Sequence, residues 1–176
     1  NDRVGLIIFT DKIEKFVPPK KGRKHVLRVV TEILNFKPLS KKSDINEALA
    51  FLGHISKRKA VAFLISDFLS GDYEHTLKIS GRRHDLIPVT IMDPREEEIP
   101  PLGLVNVEDL ETGEVITLDI TPRIARKFAL KAKARREVRE TMFRRFKMDY
   151  ITMRTGDDYI HSLIQFFRKR ERRMSR

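Results

Sequence analysis

Apolar residues along this chain alternate between unbroken runs and a three-to-four-residue spacing, and the alternation predicts its elements. "VGLIIF" within residues 3–10 is near-continuous, the pattern of a strand covered on both faces. A turn through Thr10-Asp11-Lys12 leads to a second strand, Ile13 to Val17, which Pro18-Pro19 is expected to end. Val26, Leu27, Val29, Val30, Ile33 and Leu34 predict a helix from about His25, and Ile45, Ala48, Leu49, Leu52 and Ile55 predict a second. Asp44 with Glu47 has the layout of a capping box at the start of that second helix. Residues 60–66 read as a buried strand, about 73–80 as a short helix capped by Asp72, and 85–92 as a strand whose Pro88 points to an edge or bulge.

"PREEEIPPLG" reads as irregular. "LVNVEDLETGEVITLDI" predicts a hairpin turning at Glu111-Thr112-Gly113. Thr121-Pro122 opens a long helix that runs to about Lys147. A strand over 149–153 and a helix from Asp157-Asp158 into a basic tail complete the chain. Strands alternating with helices predict an α/β fold of three layers, a mostly parallel sheet with helices on both faces. Ligands in such folds sit at the carboxyl ends of strands, where "AFLISDFLSG" places Ser66 and Asp67.

The charge is unevenly spread. The net charge is +11, yet residues 1–120 sum to −1, residues 121–147 to +9, and the tail 168–176 to +5. The basicity therefore belongs to one helix and one tail. Cys is absent, which removes disulfides, thiolate metal sites and thiol catalysis and fits a reducing cytoplasm. No apolar run approaches the roughly 20 residues of a membrane-spanning helix. A core strand within a few residues of Asn1 predicts that part of the domain lies upstream of the first position.

"DRVGLIIF" at 2–9, "SDINEAL" at 43–49 and "FLISDF" at 63–68, in that order, resemble the von Willebrand factor A-like domain, and more closely the bacterial family labelled domain of unknown function 58. The resemblance extends to "GEVITLDI" and "DDYIHSLIQFFRKR". It implies a Rossmann-like domain over 1–170 without its first central strand, followed by a basic tail over 171–176. It also implies a metal-ion-dependent adhesion site built from three loops, with Ser43 in the second and Asp67 in the third. The first loop, Asp-x-Ser-x-Ser, occurs nowhere in the 176 residues and is expected upstream. Magnesium takes about six oxygens, so Ser43 and Asp67 supply part of a shell and no ion is held firmly by this chain alone.

The bland roles stand beside these. Ser43-Asp44 caps a helix, Asp67 serves a turn, and Asp2-Arg3 fixes the entry to the first strand. The five His residues form no pair at metal-ligand spacing and read as surface or capping residues. No nucleophile, base and oxyanion donor assemble, so a non-catalytic chain is expected. The basic helix 121–147 is interrupted by Glu137 and Glu140 and lacks stacking aromatics, since Trp is absent and Phe128, Phe143 and Phe146 read as core-facing. A solvated or protein-binding face comes first, then nucleic acid, then a membrane surface. The function expected is a protein-interaction module. By resemblance its partner is a MoxR-type AAA ATPase in assembly or chaperone-like work. The alternative is a nucleic-acid-binding module using helix 121–147 and the tail.

Overall fold

The computed structural model describes residues 2–108 and 114–174. These form two compact units, the first over residues up to 58 with 70–80, the second over 59–69 with 81 onwards. The strands fall into three sheets, not one mostly parallel sheet.

In the first unit β1 (Val4–Phe9) and β2 (Ile13–Lys20) form an antiparallel hairpin. The expected stop at Val17 is wrong, because β2 continues through both prolines. The register gives the reason: Val4 faces Lys20 and Leu6 faces Val17, so Pro18 and Pro19 both stand opposite Gly5. This is a β-bulge, a place where a missing N–H is tolerated. Gly5 makes room for it, since a Cβ there would lie 2.9 Å from Pro19 Cγ and 3.1 Å from the Val17 carbonyl.

Two helices follow, α1 (Arg23–Leu34) and α2 (Ile45–Ile55), the second burying Ile45, Ala48 and Leu49. Asp44 is its N-cap and accepts a 2.8 Å hydrogen bond from Asn46 N. The Asp44 amide donates to the Thr10 carbonyl at 2.9 Å, which fixes the start of α2 at the end of β1. Glu14 ties the intervening loop. Its carboxylate accepts from the Thr10 hydroxyl at 2.7 Å and from the amides of Leu39 and Ser40 at 2.9 and 3.2 Å. Partial burial raises this carboxyl, but the bonds from Leu39, Thr10 and Ser40 outweigh it and hold the pKa below its ordinary value.

In chain order there follow β3 (Val61–Ser66), α3 (Glu74–Arg83), β4 (Asp85–Met92), α4 (Pro94–Glu97), β5 (Gly103–Glu108), β6 (Val115–Ile120), α5 (Pro122–Arg145), β7 (Ile151–Arg154) and α6 (Tyr159–Met174). The segment expected to be irregular contains the short helix α4, capped by Asp93 onto Arg95 N. Asp72 caps α3 as expected, accepting from Glu74 N at 3.1 Å. The turn expected at Glu111-Thr112-Gly113 lies outside the described residues, and α6 carries on into the segment read as a tail.

The second unit is built on a parallel sheet in the order β3-β4-β7. Pro88 is therefore in the central strand, contrary to the edge or bulge expected, and it pairs in register with Leu64. β7 begins pairing at Val89, one residue later, so on that side the proline has no ladder to interrupt. Alternation sends Ile87, Val89 and Ile91 to one face, where Leu163 and Phe166 of α6 pack with Ile151. Met92 lies on the other face and meets Arg139 of α5. Helices thus cover both faces of this sheet. β5 and β6 form a separate antiparallel hairpin.

Candidate functional site

The end of β3 is built by an unusual turn. Ser66, Asp67 and Phe68 leave the strand, and Phe68 has φ 59°, in the left-handed region where a side chain costs about 1–2 kcal/mol. Burial holds it there: Phe68 is buried, and its ring meets that of fully buried Phe143 edge-on at 5.4 Å. The Ser66 hydroxyl accepts from Phe68 N at 3.0 Å, and Asp67 Oδ1 accepts from Leu69 N at 3.0 Å and from the Ser66 hydroxyl at 3.3 Å. Asp67 is exposed at the carboxyl edge of the parallel sheet, the position anticipated for it. Its carboxylate also closes the turn, so the capping role is real.

Ser43 lies in the first unit, exposed, one residue before the Asp44 cap. Asp67 lies in the second unit, and each residue is located within its own unit. Among the described residues no group of three or more His, Cys, Asp or Glu is placed to hold a metal.

Arg139 is the residue that sequence reasoning overlooked. Within the basic run it passed for one more surface cation, yet it is buried. It donates from Nη1 to the Asp67 carbonyl at 3.1 Å and from Nη2 to Met92 Sδ at 3.4 Å. A guanidinium thus stands behind the ends of β3 and β4. The available signal was its spacing, since Ala132, Arg139 and Phe143 share the inward side of α5. His84 also departs from the surface role expected: it is 2% exposed, and neither ring nitrogen has a hydrogen-bond partner among the described residues. Burial, reinforced by the charge of Arg83, pushes its pKa below the usual imidazole value.

The family model described as "Protein of unknown function DUF58" matches residues 1–138. The chain belongs to the DUF58 family. This DUF58 chain is 28% identical over 175 residues to an uncharacterized protein of Mycobacterium tuberculosis (strain ATCC 25618 / H37Rv), covering 97% of the chain and 55% of that protein. An uncharacterized protein of Mycobacterium avium is 29% identical over 160 residues, covering 89% of the chain and 94% of that protein. The chain thus spans about half the length of the M. tuberculosis relative.

Two solved structures share the DUF58 chain's fold. The conserved hypothetical protein BatB from Bacteroides thetaiotaomicron aligns with a TM-score of 0.56 at 17% identity, covering 96% of this chain and 79% of that one. An aerotolerance-related membrane protein from Bacteroides fragilis NCTC 9343 aligns with a TM-score of 0.55 at 16% identity, covering 96% and 80%. Among the described residues of the DUF58 chain, no helix is long and apolar enough to cross a membrane.

Proposed function

We propose that this DUF58 chain is a von Willebrand factor A-like, non-catalytic protein-interaction module that works in the cytoplasm with a MoxR-type AAA ATPase in assembly or chaperone-like roles. One observation carries the reading. Well-formed elements expose large apolar side chains: Val61, Phe63 and Ile65 on β3, and Leu27, Val30 and Ile33 on α1. Apolar side chains left exposed along one strand, and along one helix face, are what another polypeptide covers. The ATPase is nominated by the resemblance of the three sequence motifs. Magnesium is the ion such a module uses. Ser43 and Asp67 are the candidate oxygens that the resemblance names, each in its own unit, and two oxygens fall short of a shell of about six.

The test is co-elution and calorimetry of the purified chain with a MoxR-type ATPase from the same genome, with and without ATP and magnesium. A saturable complex weakened by Phe63→Asp is the expected result. No complex in any nucleotide state ends the ATPase reading. A second reading, nucleic-acid binding, draws on the exposed cations of α5, among them Arg123, Arg126, Lys127, Lys131 and Arg135. Gel shifts at two salt concentrations separate the two, because phosphate neutralisation makes affinity fall steeply with salt.

A further inference from the structure

The inward side of α5 is fixed by packing and its outward side is not. Ala132, Arg139 and Phe143 are buried, and half-buried Arg136 pairs with Glu97 of α4. Turned away from them, Arg126, Leu130, Ala134 and Val138 follow one another at four-residue steps. All four are exposed, Leu130 at 61% and Val138 at 71%. On one side of this row runs a ridge of Arg123, Lys127, Lys131 and Arg135 at the same step, also exposed. On the other side Lys133 pairs with Glu137 at 3.9 Å. Among the described residues Lys133, Arg136 and Arg144 each have a carboxylate within ion-pair distance, whereas Arg123, Arg126, Lys127, Lys131 and Arg135 have none. These cations occupy about 18 Å of helix, with aliphatic side chains set among them.

An occupant of this side has two demands to meet. The cations attract a surface dense in negative charge, and the aliphatic row is covered only by something apolar. A nucleic acid meets the first demand alone. Its phosphates would set Leu130 and Val138 against a polar backbone, and bases stack on exposed aromatic rings, whereas Phe128 is half-buried and Phe143 fully buried. An anionic bilayer meets both. Lipid phosphates stand directly above the acyl chains, and long Lys and Arg side chains reach back to them when a helix lies in the interface. A bilayer also asks for no matching concavity, and the outward side of a helix is convex.

We infer that α5 docks the chain on an anionic lipid surface. Leu130, Ala134 and Val138 lie at the boundary between headgroups and acyl chains, and Arg123, Arg126, Lys127, Lys131 and Arg135 engage the lipid phosphates. The helix lies along the bilayer and does not span it, since among the described residues no helix is long and apolar enough to cross. The surface is separate from the β3 side chains nominated for the protein partner. Phe63 pairs in register with Ile87 and so lies on the α6 side of the sheet, whereas α5 covers the Met92 side. The two readings therefore fail independently.

Vesicle flotation with the full chain tests this, using phosphatidylcholine vesicles alone and vesicles of phosphatidylcholine mixed equally with phosphatidylglycerol. Wild type is expected to bind the mixed vesicles about tenfold or more tighter than the neutral ones. Affinity is expected to fall about tenfold between roughly 50 mM and roughly 500 mM salt, since screening shortens the reach of exposed charges. Lys127→Glu/Lys131→Glu is expected to lose about tenfold. Leu130→Asn/Val138→Asn leaves every charge in place; it is expected to lose about threefold on vesicles and nothing on a double-stranded DNA oligonucleotide. All four positions are exposed, so both variants fold, and circular dichroism checks this. Phe63→Asp is expected to bind vesicles like wild type. No binding to the mixed vesicles at low salt overturns the proposal, as does equal binding to the neutral ones. Loss of binding in Phe63→Asp overturns it by moving the contact to β3. Vesicle binding unchanged in Leu130→Asn/Val138→Asn, or DNA bound more tightly than vesicles at equal phosphate concentration, overturns it in favour of nucleic acid.

Discussion

At Asp67 a single carboxylate serves a turn and is proposed to serve an ion, and substitution separates the two. Asp67→Asn keeps an oxygen for the Leu69 amide and removes the charge. Its melting temperature in the absence of metal is expected to stay close to wild type, whereas Asp67→Ala loses about 0.5–2 kcal/mol, the range for a lost cap. In a longer protein that carries the remaining loop of the site, magnesium raises the melting temperature of wild type by binding only the folded form. Asn abolishes that rise. A full magnesium response in Asp67→Asn, read by differential scanning calorimetry, would leave Asp67 as a turn residue alone.

His84 offers a second test at this scale. Its folded pKa is depressed by burial and by Arg83, so below about pH 6.5 the unfolded chain takes up a proton that the folded chain refuses. Stability contributed by the neutral ring is therefore present above that pH and lost as pH falls toward the depressed value. His84→Leu is expected to flatten this part of the stability-versus-pH curve in urea titrations. An unchanged slope would place the titration elsewhere. His84's burial was not legible in the sequence, and Arg139's inward place was marked only by its spacing with Ala132 and Phe143, because one cation in a charged run looks like the next without the packing around it.

Among the elements, local chemistry was nearly all readable. Asp44, Asp72, Thr121 and Asp158 each cap the helix that their positions announced, Thr121 by accepting from Ile124 N at 3.3 Å and Asp158 from Ile160 N at 3.0 Å. Asp44→Ala is expected to cost about 1 kcal/mol, measured by chemical denaturation. Asp44→Ser, which keeps a capping oxygen, recovers most of it. A loss shared equally by Ser would show that the side chain matters for something besides the cap. The misreadings concern proline. Pro18, Pro19 and Pro88 all sit in strands, two in a bulge and one beside an unpaired stretch, and sequence marks a proline without saying which neighbour its missing N–H would have met.

For the whole molecule, the α/β character was readable from the pattern of runs, but the joining of strands was not. Pairing across sequence distance is set by packing and register, so one sheet was expected where the structure has three. The consequence is plainest at β3. Among the described residues it pairs with β4 alone, and it exposes Val61, Phe63 and Ile65, which makes it a template for unwanted pairing. Ile65→Lys is expected to raise the temperature at which light scattering begins while shifting the unfolding midpoint little. Earlier aggregation in this variant would show that Ile65 contributes to the fold more than to stickiness.

The prolines opposite Gly5 give the hairpin of β1 and β2 a direction. A strand recruits a neighbour through a regular row of outward amides, and β2 is interrupted at two successive positions by residues that have none. The outer side of β2 is thus a terminus, and growth of that sheet by a new strand is steered to β1. Replacing the pair, as in Pro18→Thr/Pro19→Thr, would give the hairpin a second side open to addition and turn a one-way element into a two-way one.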